Sequence, residues 1–251
     1  MKKVLFIVEG EKDEEKLLKS LFNSFSVNEQ YELIPIKHNI SMIFDKIKDL
    51  SEGSNTEHVD FIQVFKSILI SEKREQECLL LDAKIPYRYL FFDLDAQHNS
   101  FNFKNVKDML DYFNDETEEG KLLINYPQFE AFRDYQEPIP DPAFMDKMFS
   151  FTSGYTYKQT VHKRGTNKNY SKYSKNDYGA IITQNMCKLN YIIDGRYERP
   201  SFLRFLEEIE LHLLADREES LFVSKKELWV LCSLVFVVPL FFGKEVERFL
   251  C

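Results

Sequence analysis

Two short stretches place acids where chemistry could be done. "VEGEKD" carries Glu9 and Asp13 around Gly10, and "FFDLDA" carries Asp93 and Asp95 with one residue between them. A further acid, Glu130, stands in "YPQFEAF". Carboxylates gathered without His or Cys make a hard-oxygen environment, which suits Mg²⁺ or Mn²⁺. Such a gathering is costly without a cation, because like charges repel and raise one another's pKa. A divalent ion removes that cost. On a phosphate ester it can polarise the phosphoryl oxygen, supply hydroxide and stabilise the leaving oxygen. Each stretch alone also reads as ordinary chain geometry: Glu9-Gly10 as a strand-to-helix turn, Asp93 and Asp95 as acids where a buried strand meets solvent. The two together, each closing an apolar run, are the more specific signal.

The elements that must carry these residues are legible in the pattern. Lys3 to Val8 reads as a buried parallel strand, and Leu17, Leu18, Leu21, Phe22 and Phe25 mark an amphipathic helix behind it. Tyr31 to Ile36 reads as a second strand and Ile40, Ile43, Phe44, Ile47 and Leu50 as a second helix. Tyr87 to Phe92 is a third strand, Phe103 to Phe113 a helix, and Lys121 to Asn125 a fourth strand. This alternation predicts an α/β domain over residues 1–135 with a mainly parallel sheet flanked by helices. A helical insertion, about 51–86, marked by Phe61, Ile62, Phe65, Ile68 and Leu69, interrupts it. In an open parallel sheet ligands gather beyond the carboxyl ends of the strands. Glu9, Asp93 and Asp95 fall there, Glu130 follows the fourth strand, and Asp13 lies one helical turn after Glu9. Gly10 permits a sharp turn and a close backbone approach.

Residues 136–251 form a second region, with a basic loop and a mainly helical remainder. Between Thr156 and Asn176 stand six Lys or Arg, no acid, and three tyrosines, Tyr157, Tyr170 and Tyr173. One reading is a solvated loop. The other is a phosphate-binding segment, with Lys158, Lys163, Arg164, Lys168 and Lys172 on the backbone of a nucleic acid and a tyrosine stacked on a base. Ser224-x-x-Glu227 reads as a capping box opening an apolar final helix, a candidate core or oligomer surface.

Composition sets the limits. The net charge of −8 opposes bulk electrostatic coating of nucleic acid but leaves room for a local basic groove. Four dispersed cysteines, Cys78, Cys187, Cys232 and Cys251, suit reduced thiols in a cytoplasmic protein. Val4 to Val8 is too short for an export signal, and the apolar run Leu228 to Phe242 falls short of the roughly 20 residues that span a bilayer. No P-loop, GxSxG, HExxH or GxGxxG occurs in the sequence.

Glu9-Gly10-x-x-Asp13 after one strand and Asp93-x-Asp95 after a later one resemble the Toprim domain of topoisomerases, bacterial primases, RNA-maturing nucleases and OLD-family nucleases. The resemblance covers about Lys3 to Arg133. It implies a metal ligand or proton shuttle at Glu9, Mg²⁺ held by Asp93 and Asp95, and, in the nuclease branch, Asp13 as a further ligand. The interval between the motifs exceeds that of a minimal Toprim domain. No zinc-finger cysteine set for a primase is present, and the chain is short for a topoisomerase strand gate. The implied activity is a Mg²⁺-dependent endonuclease on DNA or RNA, with Lys163 offsetting charge in the transition state. "YPQFEAF" is similar to a stretch in stand-alone Toprim-like proteins that accompany ATPases in bacterial anti-phage systems, which implies an ATPase partner and adds Glu130 to the site. Two alternatives remain open. "LFFDLDAQ" also resembles the haloacid dehalogenase phosphatases, with Asp93 as nucleophile and Asp95 as acid/base, although Gln97 stands where that family continues with Thr or Val. The other alternative is a non-catalytic regulatory subunit.

Overall fold

The computed structural model describes residues 3–10, 12–25, 30–50, 59–135, 139–164, 169–208 and 211–250. The chain forms two compact units, one of Met1–Glu15 with Asn28–Leu122 and the other of Lys16–Val27 with Leu123–Cys251. The boundaries therefore fall near 15, 27 and 122, where the alternation of strands and helices predicts a single break near 135.

The first unit carries most of a five-stranded sheet. β1 (Lys3–Val8) leads into α1 (Asp13–Phe25), β2 (Gln30–Pro35) and α2 (Ile40–Leu50); α3 (Phe61–Ser71) and α4 (Glu75–Asp82) precede β3 (Tyr87–Asp93); α5 (Phe103–Tyr112), β4 (Asn114–Asp115) and β5 (Gly120–Asn125) follow. Of these elements, α1 from Lys16 onward and the last three residues of β5 are counted with the second unit. The strand order is β2-β1-β3-β5-β4, with β1 parallel to both β2 and β3 and β4 antiparallel to β5. Val4 to Val8 are wholly buried. That is the signature of a central strand covered on both faces, and it explains the continuous apolar run. Phe65 of α3 stacks on Phe92 and Phe113 within the same core. Gly120 opens β5 at φ 130, and a Cβ there would stand 2.6 Å from Leu90 Cδ1, so glycine is required both by conformation and by the approach to β3.

The expected helix-rich insertion is present as α3 and α4, while residues 51–58 lie outside the described set. Asp60 caps α3 by accepting from Gln63 N, and Asn102 caps α5 by accepting from Lys104 N.

In the second unit a two-stranded antiparallel sheet joins β6 (Met148–Ser150) to β7 (Glu227–Trp229). Its helices are α6 (Tyr157–Lys163), α7 (Lys175–Asp194), α8 (Phe202–Glu208), α9 (Leu211–Lys225) and α10 (Val237–Phe242). The apolar stripe of α1 belongs here, with Phe22 against Phe241 and Phe242. Capping boxes at Thr156 with Gln159 and at Ser174 with Asp177 start α6 and α7.

The expected final helix is corrected. Ser224 lies in the last turn of α9 and bonds back to Ser220 O, Lys226 stops the helix at φ 58, and Glu227 begins a strand. The apolar run then continues through a 3₁₀ turn into the six-residue α10, and Val230, Leu231, Cys232 and Leu234 to Val238 are wholly buried. These residues are part of the core, one of the two roles the sequence offers for the run. Among the described residues no helix is long and apolar enough to cross a membrane, and Cys78, Cys187 and Cys232 are free thiols.

A buried acid in this unit gives a pH-dependent stability. Glu218 of α9 is fully buried, accepts from Trp229 N through Oε2 at 3.0 Å, and has no partner at Oε1. Burial pushes its pKa up to about 8, against the Trp229 N–H bond and the charge of Lys188. Because the folded value exceeds the unfolded one, its contribution is complete below about pH 4.5 and is lost as the pH rises through about 8. Lys188 acts in the opposite sense: burial lowers it to about 7, so it favours folding as the pH rises from there towards 10.5. The melting temperature of wild type should therefore fall relative to Glu218→Gln between about pH 5 and about pH 8. Parallel calorimetric curves for the two proteins would contradict this.

Candidate metal centre

β1 connects to β2 on one side, while β3 lies on the other side of β1. The chain order reverses there, which makes the carboxyl ends of β1 and β3 a topological switch point, the crevice where open α/β sheets bind ligands. Glu9 stands one residue past β1, and Asp93 closes β3.

The backbone of Glu9 is held from both sides. Its N–H donates to Phe91 O of β3 at 3.0 Å, and its carbonyl accepts from Lys37 N, just past β2, at 2.9 Å. The Glu9 side chain turns towards β3, where Oε2 accepts from Asp93 N at 3.0 Å. Leu94 is buried, while Glu9, Asp93 and Asp95 are half-buried, so the two aspartates flank a residue anchored in the core. Asp95 has φ 47 and Lys37 φ 63, left-handed values that non-glycine residues seldom adopt. The two positions lie two residues past β3 and β2, the strands on either side of β1.

Asp95 Oδ2 accepts from Asn39 Nδ2 at 3.2 Å. Asn39 also receives Met42 N at its Oδ1 at 2.9 Å, so it caps α2 while reaching Asp95. Beyond Asp95, Ser100 Oγ donates to Asp45 Oδ2 at 2.9 Å and lies 3.0 Å from His98 Nδ1. Asp13 is the first residue of α1 and half-buried. Gly10 N donates to Glu14 Oε1 at 3.1 Å, and a Cβ on Gly10 would fall 2.4 Å from that same oxygen. Its glycine thus leaves room for a carboxylate that caps the start of α1; a positive φ is not the reason.

Glu9, Asp93 and Asp95 are therefore brought to one edge of the first unit. In kind the donors fit a hard divalent cation, being half-buried carboxylates at adjacent strand ends. Among the described residues no three acidic, His or Cys side chains converge as a ready-made ligand shell. Glu9 and Asp95 instead engage the Asp93 N–H and the Asn39 amide.

Glu130 belongs to the second unit, where it is buried and lies 3.4 Å from Lys158 Nζ. The basic segment there is ordered over its described residues. Lys163 Nζ sits 3.2 Å above the Tyr155 ring. Arg164 NH1 reaches both oxygens of buried Asp134 at 2.5 and 2.7 Å, and Tyr157 OH donates to the same carboxylate at 3.0 Å. Lys172 is exposed in a short 3₁₀ turn, and Lys168 lies outside the described residues. Tyr157 and Tyr170 are buried, so their rings are not open to a base; Tyr173 is half-buried. The expected loop is in part a helix, and of the four described cations expected on phosphate, Lys158, Lys163 and Lys172 are exposed while Arg164 is committed to Asp134.

Sequence reasoning missed Asn39, Asp45, Ser100 and Asp134. Asn39 had a local signal, an N-cap residue before an apolar helix, but its bond to Asp95 depends on the fold. Comparison with known proteins adds no relative: no family model, curated protein or solved structure matches the chain.

Proposed function

We propose that the chain is a metal-dependent nuclease of Toprim type, hydrolysing phosphodiester bonds at the switch point between β1 and β3. The observation that supports this most directly is the meeting of Glu9 and Asp93 across adjacent strand ends, with Asp93 N bonded to the Glu9 carboxylate. Glu9, Asp93 and Asp95 would hold Mg²⁺ or Mn²⁺, with Asp13 as a further candidate. When bound, such an ion polarises a phosphoryl oxygen and neutralises charge that builds on it. The chain's own part is positioning. The Glu9 backbone is fixed by both neighbouring strands, so its carboxylate is presented at one place, and buried Leu94 sets the spacing of the two aspartates.

Lys158, Lys163 and Lys172 are the exposed cations that would contact a phosphate backbone, and such contacts weaken steeply with salt. The resemblance to stand-alone Toprim-like proteins extends the proposal to an effector of anti-phage defence acting with an ATPase.

The test is cleavage of plasmid, single-stranded DNA and tRNA in Mg²⁺ or Mn²⁺, with and without chelator, using Asp93→Asn as the control. Chelator-sensitive cutting by wild type, reduced by about a hundredfold or more in Asp93→Asn, is expected. Cutting that survives both chelator and Asp93→Asn would overturn the reading. Hydrolysis of a small phosphate ester with no nucleic-acid cleavage would transfer Asp93 to the dehalogenase-type role.

A further inference from the structure

We infer that α2 is the positioning element of this site, holding the loop that carries Asp95 at two points. The inference rests on the reading of Asp95 as a functional carboxylate. The first point is Asn39, whose Nδ2 donates to Asp95 Oδ2 at 3.2 Å. Its amide cannot be reversed without cost, because Oδ1 accepts from Met42 N at 2.9 Å. The helix cap therefore fixes which face of the amide meets Asp95: the oxygen serves α2 and the nitrogen serves the carboxylate. The second point is Asp45, whose Oδ2 accepts from Ser100 Oγ at 2.9 Å.

Between these points the loop closes on itself, with His98 N bonded to Asp95 O and Phe101 N to His98 O. Asp95 holds a left-handed conformation at φ 47, which must be maintained by its surroundings. A grip at Asp95 and another at Ser100, both from one helix, supplies that constraint. Asn39 and Asp45 need not touch substrate or metal. They set where the Asp95 carboxylate lies, as outer partners of metal-binding groups do, and loss of such partners commonly costs about 10–100-fold in metal affinity.

The test separates the cap from the grip. Asn39→Ser retains an N-cap oxygen for α2 but has no amide to reach Asp95, whereas Asn39→Ala loses both. Three quantities are read on each protein: the ¹³Cγ resonance of Asp95 without metal, the melting temperature, and the Mn²⁺ dissociation constant. In Asn39→Ser the resonance should move while the melting temperature stays near wild type, and Mn²⁺ binding should weaken about tenfold. Ser100→Ala should shift the resonance in addition. An unmoved Asp95 resonance in Asn39→Ser overturns the positioning role, and so does unchanged Mn²⁺ affinity. Wild type that takes up no Mn²⁺ sinks the metal-site reading itself, and the Asp95 resonance still decides whether the grip exists.

Discussion

Replacing Glu9 with glutamine should lower metal-dependent cleavage by about a hundredfold or more while leaving the protein folded. Glutamine is nearly isosteric and keeps an oxygen able to accept from Asp93 N, the bond that ties the side chain to β3 at 3.0 Å. The backbone bonds of Glu9 to Phe91 and Lys37 do not involve the side chain. What disappears is the negative charge, and with it the strongest attraction a divalent ion would find at the end of β1. A single-turnover assay with circular dichroism on the same sample checks this. Full activity in a folded Glu9→Gln protein would remove Glu9 from the site. Loss of both activity and fold would show that Glu9 is structural.

Asp134→Ala should cause the largest loss of stability, about 3 kcal/mol, towards the low end for breaking a buried ion pair. The low end applies because Arg164 keeps 34% of its side chain exposed and can recover some hydration. Asp134 itself is 1% exposed and serves Tyr157, Arg164 and Lys147 together. Removing it leaves the buried Tyr157 phenol and the Arg164 guanidinium without their carboxylate, while Lys147 keeps Asp141 and the backbone carbonyl of residue 134. For a chain of this size the melting temperature should drop by roughly 6–12 °C. Asp134 also anchors both ends of α6, through Tyr157 and Arg164, so the variant should loosen the helix that carries Lys158 and Lys163. A thermal midpoint within about a degree of wild type would show that the network is dispensable.

The first unit was legible because its signals are local. Lys3 to Val8 and Tyr87 to Phe92 are short apolar runs ending in acids, and each run is a strand whose last residues lie where the sequence places them. That β3 would lie beside β1, bringing Asp93 N to the Glu9 carboxylate, is a matter of strand order, which no run of residues encodes by itself. The second unit was less legible. Ser224-x-x-Glu227 has the spacing of a capping box, yet Glu227 to Trp229 pair with Met148 to Ser150 far back in the chain, and that non-local pairing overrides the local signal. Arg164 likewise looked like a free cation among lysines, because its partner Asp134 is thirty residues away in sequence. Asp134 itself, in a stretch of mixed polarity, gave no sign that it would be buried.

The central claim is that Glu9, Asp93 and Asp95 hold a divalent ion. An anomalous-difference map from a crystal soaked in Mn²⁺ tests it most directly. The account predicts a peak at the end of β1 and β3, about 2 Å from carboxylate oxygens of Glu9 and at least one of the two aspartates. A soaked crystal with no density at that edge, or with its manganese bound elsewhere while these three carboxylates keep their metal-free partners, would contradict it.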